Sequence, residues 1–180
     1  MNIKARIYAR KIVLVYFYQR YFWQTIQDKE ALLVEIDKLD KIVKLDEGQE
    51  AVDMRAVLAS DYFGDVDREI SYIVDQYFRK IESEEIDFAY IQEVAPYFLD
   101  YEPTVRTKVN EHTVSFSYDD MDIMDRVVFV LGYIEYVRLK TPKEVVLNEM
   151  IELAKRYGDD ASWKLINGIW HKLLSSVDPQ

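Results

Sequence analysis

Residues 142–168 read P-K-E-V-V-L-N-E-M-I-E-L-A-K-R-Y-G-D-D-A-S-W-K-L-I-N-G. The spacing predicts a helix over 142–157. Val146, Met150, Leu153, Ala154 and Tyr157 recur every three or four residues and fall on one face. Pro142 suits a first helical position, because its missing N–H has no partner there anyway. Gly158 is a natural stop, and Asp160 or Ser162 can cap the helix that follows. In that last helix Ile166, Ile169, Trp170, Leu173 and Val177 form the apolar stripe. Two amphipathic helices joined by a short turn set the expectation for the whole chain: an all-α, compact helical bundle.

Upstream the same period continues. The run I-M-D-R-V-V-F-V-L-G-Y-I-E-Y-V-R-L (123–139) follows Asp119, Asp120 and Asp122, acids of the kind that favour a helix N-terminus. Residues 3–27 carry apolar side chains on more than one face, so a long, heavily buried helix is expected. Residues 28–45 place Leu32, Ile36, Leu39 and Val43 at helical spacing, with Asp28 as a cap. Residues 50–81 read as two helices divided near Gly64. The segment 82–118 is less regular. Pro96 and Pro103 are expected to interrupt it, with a helix over about 87–95 and a short one near 97–101. Val105, Thr107 and Val109 are β-branched, and Val114, Phe116 and Tyr118 alternate with serines. That pattern predicts a short strand or extended segment near 104–118.

Composition narrows function. The chain has 180 residues, 49% hydrophobic and 31% charged, with Lys+Arg 23 against Asp+Glu 33 and a net charge of −10. A globally basic nucleic-acid binder is excluded, whereas a local basic patch is not. With no cysteine, disulfides, thiolate zinc sites and cysteine nucleophiles are excluded, which fits a reducing, cytoplasmic setting. Five glycines argue against glycine-rich phosphate loops. The two histidines, His112 and His171, have no motif company, and no Gly-x-Ser-x-Gly, Walker or His-Glu-x-x-His pattern occurs, so no enzyme is expected. Asp119, Asp120, Asp122 and Asp125 lack the glycine and closing glutamate of a calcium loop, and no metal site is assigned to them. The apolar run 12–18 follows four bases, yet is far too short for a membrane span and reads as a buried helix face.

Charge is unevenly spread. Residues 1–27 hold Lys4, Arg6, Arg10, Lys11 and Arg20 and none of the 33 acids, so the rest of the chain carries −15. On an ideal helix Arg6, Arg10 and Arg20 share a narrow arc, and Lys4 and Lys11 lie on another side. Tyr8, Tyr16, Phe17, Tyr18, Tyr21, Phe22 and Trp23 interleave with them. Cations neutralise phosphates and exposed aromatics stack on unpaired bases. Charge alone equally fits a solvated helix with a buried aromatic face.

The elements Asn148-Glu149, Ile151-Glu152-Leu153-Ala154-Lys155 and Ser162 with Asn167-Gly168 resemble the signature of the NusB family of bacterial transcription antitermination factors. The resemblance spans roughly 123–174, with Ala5-Arg6 similar to the family's basic N-terminal stretch. The family's Tyr-Glu pair stands here as Tyr133-Ile134-Glu135. The resemblance implies one NusB-like domain over 1–180, two small helical bundles and no cofactor. It implies a non-catalytic protein that binds single-stranded boxA-type RNA together with the ribosomal protein NusE, rides with the RNA polymerase elongation complex and supports ribosomal RNA transcription. Carried onto this chain, Lys4, Arg6, Arg10 and Lys11 face RNA, while Tyr18, Asp122 and Asp125 lie towards the protein partner. The alternative is a NusB-like protein-interaction module with weak or no RNA binding. Gly168 is expected to allow close helix approach, at about 1 kcal/mol of helix propensity.

Overall fold

The computed structural model describes residues 2–27 and 65–175. The helices expected over 28–45 and before Gly64 lie outside the described residues. Seven α-helices are described: α1 (Ile3–Gln27), α2 (Val66–Tyr77), α3 (Phe88–Val94), α4 (Phe98–His112), α5 (Ile123–Val137), α6 (Lys143–Tyr157) and α7 (Ser162–Ser175). Short 3-10 turns lie at Ser83–Glu85, Ala95–Tyr97 and Tyr118–Asp120. The described residues contain no strand, and the fold is all-α.

Helix α5 is the axis. Every residue from Val127 to Glu135 is buried, as expected of a helix that is apolar all round. Helices α1, α4 and α6 pack along it, and α7 closes against α6 and α4. Asp122 caps α5 by accepting from the Met124 N–H at 2.8 Å. On α6 the stripe Val146, Met150, Leu153 and Ala154 is buried as its spacing predicts, but Tyr157 is 39% exposed. Ile166, Ile169, Trp170 and Leu173 of α7 are buried. The carboxylate at the start of α7 belongs to Asp159, not to either expected cap, Asp160 or Ser162. It accepts from the N–H groups of Ala161 (2.7 Å) and Ser162 (2.8 Å). These bonds, led by the one from Ala161, hold its pKa below the usual carboxylate range.

The expected strand near 104–118 is absent, because residues 104–112 belong to α4. Pro103 sits inside this helix without ending it. A proline there frees the carbonyl four residues back, that of Leu99. Both residues lie on the exposed side, where water can take that carbonyl. Val105 and Val109, one turn apart, are fully buried, so a β-branched cluster read as strand is a helical core stripe. Pro96 does interrupt the chain, in the 3-10 turn between α3 and α4.

Three of the aromatics interleaved along α1 are core, whereas Tyr18 and Phe22 are exposed. Tyr16, Phe17 and Tyr21 are buried. Phe17 and Tyr21 both meet Phe98, the latter edge-on at 5.0 Å. The Tyr21 hydroxyl donates to Glu102 Oε1 (2.7 Å) and lies 2.5 Å from the Tyr118 hydroxyl, which docks α1 on α4.

The glycine that permits close helix approach is Gly132, not Gly168. A Cβ on Gly132 would lie 2.7 Å from Met150 Sδ and 2.8 Å from the Trp170 ring. A Cβ on Gly168 would meet nothing within 4 Å. Gly168→Ala is therefore expected to raise stability by about 0.5–1 kcal/mol through helix propensity alone. Thermal denaturation followed by circular dichroism checks this, and a lower melting temperature would contradict it.

Candidate nucleic-acid interface

The arc predicted for α1 is realised in three dimensions, but its residues meet different fates. Arg10 is 7% exposed. Its Nε and Nη2 donate to the two oxygens of Glu135 on α5, at 2.7 and 3.0 Å. Its Nη1 lies 2.8 Å from Glu149 on α6. The Tyr90 hydroxyl of α3 donates to the same Glu135 at 2.5 Å. Four helices thus converge on one buried ion pair. Burial opposes the Arg10 charge, but the hydrogen bonds and charge of Glu135, aided by Glu149, outweigh it and hold its pKa above the ordinary value. Arg10 therefore does not present its guanidinium to a ligand as the resemblance implies.

Arg6 lies one turn towards the N-terminus. It donates to Asp87 at 3.0 Å, and its guanidinium sits 4.5 Å from the Tyr90 ring centroid. Arg20 pairs with Glu69 on α2 at 3.3 Å. Lys4 pairs with Glu85 at 2.5 Å, and the hydrogen bond it donates to that carboxylate raises its pKa. Lys4 and Lys11 flank the same ring, with Nζ atoms 5.7 and 5.5 Å from the Tyr8 centroid.

Beside Lys11 a cleft of about 430 Å³ opens. Helix α1 supplies Tyr8, Lys11, Leu14, Val15 and Tyr18 to its wall. Tyr77 and Phe78 come from α2 and its end, Met124 from α5, and Arg156 with Tyr157 from the last turn of α6. Four tyrosine rings therefore surround a cleft with two cations at its edge. Burial, and then the charge of Arg156, lower the Lys11 pKa. Neither cation is paired with a carboxylate among the described residues; each lies beside a tyrosine ring instead. In a chain of net charge −10, unpaired cations beside aromatic faces form a place for an anion bearing a flat, apolar body. Arg156, Tyr157 and Tyr77 were not legible as site residues. Tyr157 carries the right spacing for a buried stripe, and only the end of α6 exposes it.

The residues expected towards a protein partner also separate. Tyr18 is exposed in the cleft wall. Asp122 is consumed as the α5 cap. Asp125 is 4% exposed, and its Oδ1 has no hydrogen-bond partner among the described residues. Burial raises its pKa, opposed by the Ser162 hydroxyl. Asp119 pairs with Arg106 and Arg126, and Asp120 closes a reciprocal cap with Ser117. Among the described residues no three ligating side chains cluster for a metal, and no helix is long and apolar enough to cross a membrane.

Comparison with known proteins places the chain. The NusB family model matches residues 51–175, a stretch that contains α2 to α7 and begins after α1. The transcription antitermination protein NusB of Staphylococcus haemolyticus is 32% identical over 92 residues, covering 51% of this chain and 72% of that protein. The NusB of Staphylococcus carnosus is 28% identical over 108 residues, 60% of this chain and 80% of its own length. That of Fervidobacterium nodosum is 33% identical over 78 residues, 43% and 55% of the two chains. By sequence signature, helical architecture and this match over more than half its length, the chain belongs to the NusB family.

Proposed function

We propose that the protein is a non-catalytic, cytoplasmic transcription antitermination factor, one NusB-like domain over residues 1–180. It binds single-stranded boxA-type RNA together with the ribosomal protein NusE, within the RNA polymerase elongation complex, and so supports ribosomal RNA transcription. The observation that carries this reading is the aromatic cleft edged by the unpaired Lys11 and Arg156, next to the basic end of α1. Single-stranded RNA offers bases to stack on tyrosines and phosphates to meet cations, which is the chemistry this cleft can serve. Lys4 and Lys11 form the phosphate-facing side of the proposal, with Arg6 contributing from the arc it shares with Arg10. Arg10 enters it beneath that side, as the residue that holds α1 in place. Tyr18 lines the same cleft as Lys11, so RNA and protein partner meet at adjoining surfaces. Asp122 contributes there by fixing the start of α5, and Asp125 by its hydrogen bond with the Ser162 hydroxyl at the start of α7.

Fluorescence anisotropy with a short labelled boxA-like RNA, with and without NusE, tests this at several salt concentrations. Salt-sensitive binding strengthened by NusE is the expected result. Lys11→Gln with Arg156→Gln should lower the salt slope by roughly 1.4, about 0.7 per lost phosphate contact on a single strand. Tyr157→Ala should weaken binding by about 5- to 150-fold, since stacking contributes roughly 1–3 kcal/mol per base. Unchanged affinity in both variants would remove RNA from this cleft. A stable NusE complex without any RNA binding would favour the protein-only module, a reading consistent with the carboxylates already paired to Lys4, Arg6 and Arg10.

A further inference from the structure

The basic end of α1 is already occupied by acids of the same chain. The turn Ser83–Glu85, the residue that precedes it and the residues leading into α3 carry Glu82, Glu84, Glu85 and Asp87. Two of these carboxylates reach α1. Glu85 Oε1 lies 2.5 Å from Lys4 Nζ, and Asp87 Oδ2 lies 3.0 Å from Arg6 Nε. The seat of this turn is fixed by more than charge. The Asp87 N–H donates to the Ala5 carbonyl at 3.3 Å, Ile86 is buried between the two acids, and the other Asp87 oxygen caps α3 through the Tyr90 N–H at 3.0 Å. The two acids are thus held against Lys4 and Arg6 in the first turn of α1, on the cations that the phosphates of a strand would have to meet.

The two contacts differ in how easily they are exchanged. Asp87 is anchored by its cap and half-buried with Arg6. The Lys4–Glu85 pair is open to water, with side chains 61% and 37% exposed. Exposed pairs of this kind are weak and screened by salt. A polyanion approaching the N-terminal end of α1 therefore meets Lys4 first, with Glu85 as its competitor.

We infer that the acidic turn at residues 83–87 is an autoinhibitory phosphate mimic, in which Glu85 holds Lys4 in a self-paired state that bound RNA must displace. The inference rests on the RNA-binding reading above. It gives the acidic turn a purpose on a surface proposed for RNA. It also supplies discrimination: a weakly charged anion does not repay the lost pair, whereas a strand that contacts Lys4, Lys11 and Arg156 together does.

The test is a double-mutant cycle on the full chain, read by anisotropy with the same boxA-like RNA. Glu85→Gln should tighten binding by about two- to five-fold, the range set by an exposed pair. Lys4→Gln should abolish that gain, and the difference should fade at high salt. Glu82→Gln and Glu84→Gln remove the same charge from the same turn without the contact to Lys4, and should give clearly smaller gains. Equal gains from all three glutamates, or a Glu85→Gln gain that persists without Lys4, would reduce the effect to net charge and overturn the inference while leaving RNA binding in place. RNA binding by the wild type with no change in Glu85→Gln would do the same. Binding by neither wild type nor Glu85→Gln would overturn the RNA reading and the inference together. Circular dichroism should show the same helix content in every variant, since Glu85 and Lys4 are exposed and cap nothing.

Discussion

Glu135→Leu is expected to lower the unfolding free energy by about 3–5 kcal/mol, the largest effect of any single change proposed for this protein. Glu135 is fully buried and receives two bonds from Arg10 and one from Tyr90. Removing it leaves a guanidinium in the interior with Glu149 as its remaining carboxylate. It also leaves the Tyr90 hydroxyl, itself wholly buried, without its acceptor. The cost arises from stranded polar groups, since an intact buried pair contributes little net stability after desolvation. The matching control is the triple variant Arg10→Met, Glu135→Leu, Tyr90→Phe, which removes all three polar groups at once. It should recover most of the lost stability. Urea denaturation followed by circular dichroism gives both values. A Glu135→Leu loss below about 1 kcal/mol would mean that Arg10 is solvated and free, and would return it to the candidate RNA contacts. This is why Arg10→Ala is a poor test of RNA binding: its effect on folding precedes any effect on a ligand.

Gly132→Ala is expected to destabilise by about 1–3 kcal/mol, despite the roughly 1 kcal/mol that alanine gains in helix propensity. The new Cβ would sit under 3 Å from Met150 Sδ and Cγ and from the Trp170 ring. Met150 is flexible and can yield. Trp170 is rigid and fully buried, with the Phe129 ring 6.4 Å away, so the strain falls on the junction of α5, α6 and α7. Combining Gly132→Ala with Met150→Ala tests this directly. The smaller partner opens the space the new methyl needs, so the double variant should be more stable than the sum of the two single losses. Additive losses would show that the contact with Met150 is not what makes glycine necessary. The opposite sign expected for Gly168→Ala makes the pair informative, because both glycines lie inside helices and differ only in what faces them.

The helices of this protein were legible because their determinants are local. A stripe at three- and four-residue spacing, an acid before the first turn and a proline or glycine at the boundary act over a few residues. So α1, α5, α6 and α7 could be placed from sequence to within a few residues. Local signals misled where exposure or the packing of distant helices overrode them. Pro103 is tolerated in α4 because it lies on the outer side, and Val105 with Val109 reads as strand until one turn of helix puts both into the core.

The all-α class, the polarised charge of α1 and the motif that resembles the NusB family are written in short stretches of the chain. The fate of each charge was decided only by tertiary structure. Arg10 and Glu135 are 125 positions apart, and no period within α1 announces that its third basic residue will be sealed by a carboxylate from α5. The cleft likewise takes tyrosines from three separate parts of the chain, and Tyr157 belongs to it because α6 ends where it does. Helical spacing says which residues share a face. What that face meets depends on how distant helices pack, and from that packing come burial, pairing and the shifted pKa values of Lys4, Arg10 and Lys11.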